Sequence, residues 1–202
     1  MQKEKINPHL ISVITVGVCA ALLTVCSWIS IPAFGPFVPF TLQTFAVFLI
    51  AGLFPFKESI LTVVIYIALG MAGVPVFSGF KSGIAAVTGP TGGYIVGFLL
   101  AVVIISLFKR LKPGSILFLI IGMIAGLAVC YAFGTGWFYF VFLNTEKQKG
   151  ILEILSICVF PFLIPDAVKM AVAVLLVNRL SLPLTKLGFA DKRNLKPAAS
   201  QS

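Results

Sequence analysis

FPFLIPDAVKMAVAVLLV, residues Phe160–Val177, is apolar throughout except for one acid and one base, Asp166 and Lys169. Its length and composition suit a helix crossing the hydrocarbon layer of a bilayer, which takes about 20 apolar residues. Each ionised group at mid-depth costs about 2.5–3.5 kcal/mol on insertion scales, so the two need a reason to be there. Their i, i+3 spacing puts both on one helical face, close enough to interact. Pro165 suits the first position of a helix, and Pro161 discourages a regular helix upstream. The helix is therefore predicted to restart at Pro165, with Asp166 in its first turn beside free N–H groups and the positive dipole end. Two readings stand. The pair is either a clasp that neutralises itself, or an interior functional pair kept open for a ligand.

The rest of the chain is of the same kind. Of 202 residues, 59% are hydrophobic and only 10% charged, and the mean hydropathy is +1.11. The apolar residues come in long blocks between short polar or Pro/Gly breaks, without the alternation of barrel strands. The fold class is an all-α membrane protein, one domain in length. Six transmembrane helices are predicted: Leu10 to Ile29, Phe40 to Phe54, Ser59 to Ala72, Thr91 to Phe108, Ser115 to Phe142 and Leu155 to Leu180. The fifth carries a possible break at GTGW, Gly134 to Trp137.

Lysine and arginine test that count. With the N-terminus inside, Lys3, Lys5, Lys57, Lys109, Arg110, Lys112, Arg179, Lys186, Lys192, Arg193 and Lys196 face the cytoplasm, and Lys81, Lys147 and Lys149 face outward. Eleven against three follows the positive-inside rule and places both termini in the cytoplasm. Residues 1–184 form the transmembrane domain, and 185–202 a basic cytoplasmic tail. The net charge of +9 is then a basic rim beside anionic lipid and asks for no nucleic acid. The first apolar run exceeds the h-region of a signal peptide and is followed by no small-x-small site, so it is read as a retained helix.

Several chemistries are excluded. The single histidine, His9, precedes the first span, which removes His-based intramembrane catalysis and multi-histidine zinc sites. Asp166 has no intramembrane acid to share a proton with, as an aspartyl protease requires. GPTGGY, Gly89 to Tyr94, lacks the spacing of a phosphate-binding P-loop. Cys19, Cys26, Cys130 and Cys158 lie in apolar spans without C-x-x-C spacing and read as small buried hydrophobes. No enzyme, cofactor or metal is implied.

Three further features carry polarity or unusual shape. Gln43, flanked by Thr41 and Thr44 in PFVPFTLQTF (Pro36 to Phe45), needs partners, either across the bundle or on a ligand. The external loop Gly73 to Tyr94 holds six glycines and two prolines among apolar residues, so it suits a lid over a cavity or a plug packing the bundle. On the first span, Gly17 with Ala21 and Ala20 with Thr24 give small-xxx-small spacing, where another helix can approach closely.

PFVPFTLQTF, YIALGMAGVPVF (Tyr66 to Phe77), GPTGGYIVGF (Gly89 to Phe98) and FPFLIPDAVKM (Phe160 to Met170) together resemble the BioY family, the biotin-specific S components of energy-coupling-factor (ECF) transporters. The resemblance runs from the first span to Lys169. It implies a six-helix binding subunit that captures biotin outside and releases it inside with an energising module of two ATPase subunits and a transmembrane coupling subunit. It also implies that the small-residue region of span one, Gly17, Ala20, Ala21 and Thr24, docks on that coupling subunit. Biotin's ureido ring carries two N–H donors and a carbonyl acceptor, complementary to a carboxylate and an ammonium. Asp166 and Lys169 are thus expected to hold the ureido head, unspent on each other until it arrives, with Gln43 or Thr41 helping. Phe77, Phe80, Tyr94 and Tyr139 are expected as apolar walls, and Lys81 as the partner of the valerate carboxylate. An S component for another small vitamin, a solitary biotin facilitator, or an accessory subunit with no ligand are the alternatives.

Overall fold

The computed structural model describes residues 7–31, 38–143 and 150–190. Lys3, Lys5, Lys147, Lys149 and the tail from 191 onward lie outside the described residues. Helix α1 spans Pro8–Trp28. Proline takes its first position, where a missing N–H costs nothing, and the Asn7 side chain caps it by accepting from the His9 N–H at 3.0 Å. Two short strands follow, β1 (Ser30–Ile31) and β2 (Phe40–Thr41), paired antiparallel. That pairing draws Phe40 and Thr41 out of the second predicted helix, so α2 is only Gln43–Leu53. Helix α3 spans Phe56–Met71, α5 Gly92–Leu111, α6 Ile116–Leu143, α7 Ile151–Cys158 and α8 Phe160–Lys186. Between α3 and α5 lie a 3-10 turn, Ser78–Phe80, and the one-turn helix α4, Ile84–Thr88.

Among the described residues, four stretches are long and apolar enough to cross a membrane: α1, α5, α6 and the run Ile151–Lys186. At 1.5 Å per residue, α2 and α3 reach about 16 and 24 Å, short of the ~30 Å hydrocarbon layer. Val13, Val18, Leu111, Leu117, Ile124, Leu152 and Ile164 are all exposed on the outer faces, the side presented to lipid. The chain is a multi-pass membrane protein. Its centre is α2, where every residue from Ala46 to Leu53 is buried.

The packing sorts helix ends into two groups. At one end Ser12 Oγ on α1 donates to Glu58 Oε1 on α3 at 3.0 Å, and Gly188 lies against Ile11. The two ends of the described chain therefore meet. At the other end Trp28 Nε1 donates to the carbonyl of Pro75 at 2.8 Å, and Trp137 Nε1 to that of Gly89 at 3.0 Å. The loop between α3 and α5 closes this second end.

Two expectations are corrected. Helix α6 runs unbroken through Gly134–Trp137. Gly134 marks a close approach instead, since a Cβ there would fall 2.4 Å from the Tyr94 ring. Helix α8 begins at Phe160, not at Pro165. The break falls at Val159 (φ −126°, ψ −59°), and Pro161 sits in the first turn, where the N–H it lacks has no partner to lose. Pro165 lies inside the helix and Asp166 is its seventh residue. The first-turn dipole cannot be what stabilises that carboxylate; neighbouring side chains must do it.

Candidate functional site

Asp166 and Lys169 are both buried, and Lys169 Nζ lies 2.8 Å from Asp166 Oδ1. The expectation of two unspent charges is therefore corrected: they are paired directly, one turn of α8 bringing them together. Around them three helices and β2 converge. Thr44 Oγ1, at the start of α2, donates to Asp166 Oδ1 at 2.9 Å. Tyr131 on α6 donates its hydroxyl to Asp166 Oδ2. Lys169 donates to the Thr41 carbonyl at 2.6 Å and to Thr44 Oγ1 at 3.2 Å. Its ammonium sits 4.0 Å above the Phe40 ring, where the π-face adds attraction.

Counting donors and acceptors shows what room is left. An ammonium has three protons, and Asp166, Thr41 and Thr44 engage all of them. A carboxylate offers about four lone-pair sites. Lys169, Thr44 and Tyr131 fill three, which leaves one on Oδ2. An incoming N–H can occupy that site without breaking anything. An incoming carbonyl must displace an acceptor from Lys169, and the 3.2 Å contact to Thr44 is the longest.

Beside the pair is a cavity of about 100 Å³, against the roughly 10–15 Å³ that admits one water. Asp166 and Lys169 line it with Thr41, Gln43, Thr44 and Tyr131 as its polar side. Phe77, Tyr94, Ile95, Phe98 and Phe162 supply apolar walls. Phe77, Ser78, Lys81 and Ala86 come from the loop after α3, so that loop forms a wall of the cavity. Ser27 Oγ and Trp28 Nε1 on α1 hold it through the carbonyls of Val76 and Pro75. Phe77 is seated by Gly70, where a Cβ would fall 2.0 Å from the ring, and packs edge-on to Tyr66.

Of the residues predicted from sequence, Asp166, Lys169, Gln43, Thr41, Phe77, Lys81 and Tyr94 meet at this cavity. Gln43 is largely committed to the bundle. Its amide donates to Tyr66 Oη at 2.8 Å, Tyr66 passes its own proton to the Val76 carbonyl at 3.0 Å, and Thr41 Oγ1 donates to Gln43 Oε1 at 3.1 Å. Phe80 does not line the cavity; it is 61% exposed and stacks on Trp28 with centroids 5.1 Å apart. Tyr139 lies elsewhere, in a groove between α6 and α7 with Ile151 and Leu155. Gly17, Ala20, Ala21 and Thr24 do not share a face. Gly17 and Ala21 are exposed, whereas Ala20 is buried and Thr24 half-buried. Only the first pair forms an outward small-residue groove.

The sequence reading did not assign Thr44, Ile95, Phe98 or Phe162 to the site, and it missed Tyr131 altogether. The signal available was a hydroxyl in the otherwise apolar stretch GLAVCYAFG, since a buried tyrosine needs a partner for its O–H. GPTGGY is explained sterically. A Cβ at Gly92 would fall 1.6 Å from the Val87 carbonyl oxygen, and one at Gly93 2.3 Å from Trp137, so only glycine lets α5 start there against α6.

With this geometry in place, the comparisons with known proteins are direct. The BioY family model matches residues 1–185. The chain belongs to the BioY family. A relative from Thermotoga maritima named "Biotin transporter BioY" is 41% identical over 83% of this chain and 94% of that protein. One from Pyrococcus horikoshii, "Probable biotin transporter BioY", is 40% identical over 82% and 93%. The fold matches a crystal structure described as the S-component for biotin from an ECF-type ABC transporter. The TM-score is 0.76 and the identity 24%, over 89% of this chain and 94% of that one. BioY members are membrane transport proteins, not enzymes, and this chain is one of them.

Proposed function

We propose that this chain is the biotin-binding S component of an ECF uptake transporter, taking biotin from outside and releasing it inside with an ATP-driven module. The observation that carries the reading is a buried acid–base pair on one wall of an otherwise apolar cavity, braced by Tyr131 and Thr44. A cyclic urea matches that wall group for group. One ureido N–H fills the remaining lone pair on Asp166 Oδ2, and the ureido carbonyl takes the Lys169 proton now given to Thr44. Phe77, Tyr94 and Phe98 flank the thiophane ring and valeryl chain. Lys81, exposed at the cavity edge, meets the valerate carboxylate. Gln43 acts by fixing Thr41 and not by touching the ligand.

The topology supports the direction of uptake. Counting α7–α8 as one crossing and including the short α2 and α3, the chain crosses six times. The end where Ile11 and Gly188 meet also carries Lys57, Lys109, Arg110 and Lys112 and faces the cytoplasm. The cavity lies toward the other end. Gly17 and Ala21, outward on α1, give the coupling subunit a groove in which to dock, and that subunit links the chain to two ATPase subunits.

Melting the detergent-solubilised protein with and without biotin tests the binding claim. Saturating biotin raises the midpoint, because a ligand that binds only the folded state stabilises it. No shift with biotin but one with another vitamin reassigns the substrate. No shift with any small ligand leaves the acid–base pair as a structural clasp. Biotin uptake into vesicles holding this chain alone separates a solitary facilitator from a subunit that needs the module.

A further inference from the structure

We infer that Lys109, at the end of α2 far from the cavity, is a positioning residue for biotin binding, a role that rests on the function proposed above. Its side chain is 6% exposed. Its ammonium donates to the carbonyls of Ala51 at 2.8 Å, Phe54 at 2.6 Å and Gly52 at 3.4 Å. The last carbonyls of a helix have no partner within it, and a cation there also meets the negative end of the dipole. Lys109 on α5 therefore caps α2 from outside, beside Ser59 Oγ of α3, which donates to the Ile50 carbonyl at 3.0 Å.

The other end of α2 is also held by a buried lysine, through a β2 carbonyl and a side-chain hydroxyl and not through the helix's own terminal carbonyls. Lys169 donates to the Thr41 carbonyl and to Thr44 Oγ1. Helix α2 is thus strung between two buried lysines, one at the cavity and one at the opposite end. Between them it is buried along its whole length from Ala46 to Leu53, so it has little freedom to bend. It also lies against α8: a Cβ on Gly52 would come 2.6 Å from Val177 Cγ2. A displacement at Gly52 is transmitted along the rod to Thr44, whose hydroxyl must stay within bonding reach of Asp166. The distance travelled is about 12 Å, eight residues at 1.5 Å each. Lys109 touches no ligand; it sets where α2 stands along α8, and α2 sets the acceptors around Lys169.

A double-mutant cycle on biotin affinity tests this in the full-length detergent-solubilised protein, with Lys109→Met, Thr44→Val and the double variant titrated by calorimetry. Lys109→Met is expected to weaken binding about tenfold, and Lys109→Arg to restore part of that loss. Sites this far apart ordinarily combine within about twofold. Here the double variant is expected to lose at least threefold less than the product of the single losses, because both changes act on one rod. Wild-type affinity in Lys109→Met, or losses that multiply, would overturn the inference. If Lys109→Met does not fold, Gly52→Ala displaces the same end of α2, and unchanged affinity there overturns it equally. Amide exchange without ligand keeps the two claims separate. Lys109→Met should speed exchange at residues 41–46 and 51–54 over the rest of the bundle. A rise spread evenly through all helices marks a merely structural lysine, whether or not wild type binds biotin.

Discussion

Replacing Lys169 by methionine distinguishes a binding pair from a clasp, and the structure sets the size of both effects. The ammonium is held by Asp166 Oδ1 at 2.8 Å, the Thr41 carbonyl at 2.6 Å and Thr44 Oγ1 at 3.2 Å. Methionine keeps the stem and removes all three bonds. Taking one partner from a buried ion pair typically costs about 3–5 kcal/mol, since the other charge is left uncompensated. Tyr131 and Thr44 still donate to Asp166, which puts this case at the lower end, about 3 kcal/mol. On the binding mode proposed above, biotin separately loses a charge-assisted hydrogen bond to its ureido carbonyl, about 1.5–3 kcal/mol. That corresponds to about 10- to 150-fold weaker affinity. The assay is a thermal melt followed by biotin titration of the same folded sample. Adding Asp166→Asn removes the orphaned charge. The double variant should regain most of the lost thermal stability while its affinity stays low. A folded Lys169→Met protein that binds biotin as tightly as wild type would refute the argument, as would a double variant in which affinity returns along with stability.

Three other outcomes follow from single contacts. Tyr131→Phe removes one donor from Asp166 Oδ2 without changing the ring, and should weaken biotin about 5- to 15-fold with little change in fold, as measured by calorimetry. Gly70→Ala puts a methyl group 2.0 Å from the buried Phe77 ring; overpacking of about 1–3 kcal/mol should lower the melting temperature and expel Phe77 from the cavity wall, with faster biotin dissociation as the readout. Lys81→Gln should weaken biotin while leaving biotinamide unaffected, since only biotin carries the carboxylate assigned to that lysine. Equal losses for both ligands would remove Lys81 from that role.

What the chain discloses unaided is set by terms that add up locally. Long apolar blocks require a bilayer because no folded interior of this size could bury them all. Basic residues mark helix ends because lipid excludes them, which is why α1, α5 and α6 fall within a few residues of their predicted positions. Asp166 and Lys169 stand out for the same reason: ions in an apolar run are costly, and their i, i+3 spacing lets each offset the other. Other features depend on partners distant along the chain. The start of α8 turned on Val159 and on Pro161 in a first turn, and prolines alone could not rank Pro161 above Pro165. Tyr131 lies 35 residues from the carboxylate it serves, and Gln43 is bound by a tyrosine 23 residues away. Whether Phe80 and Tyr139 face a cavity, and whether Ala20 turns inward, depends on how helices rotate against one another. That rotation is decided by glycine contacts such as Gly134 on Tyr94. Hydropathy decides which segments enter the membrane; side-chain packing between segments decides which of their faces meet.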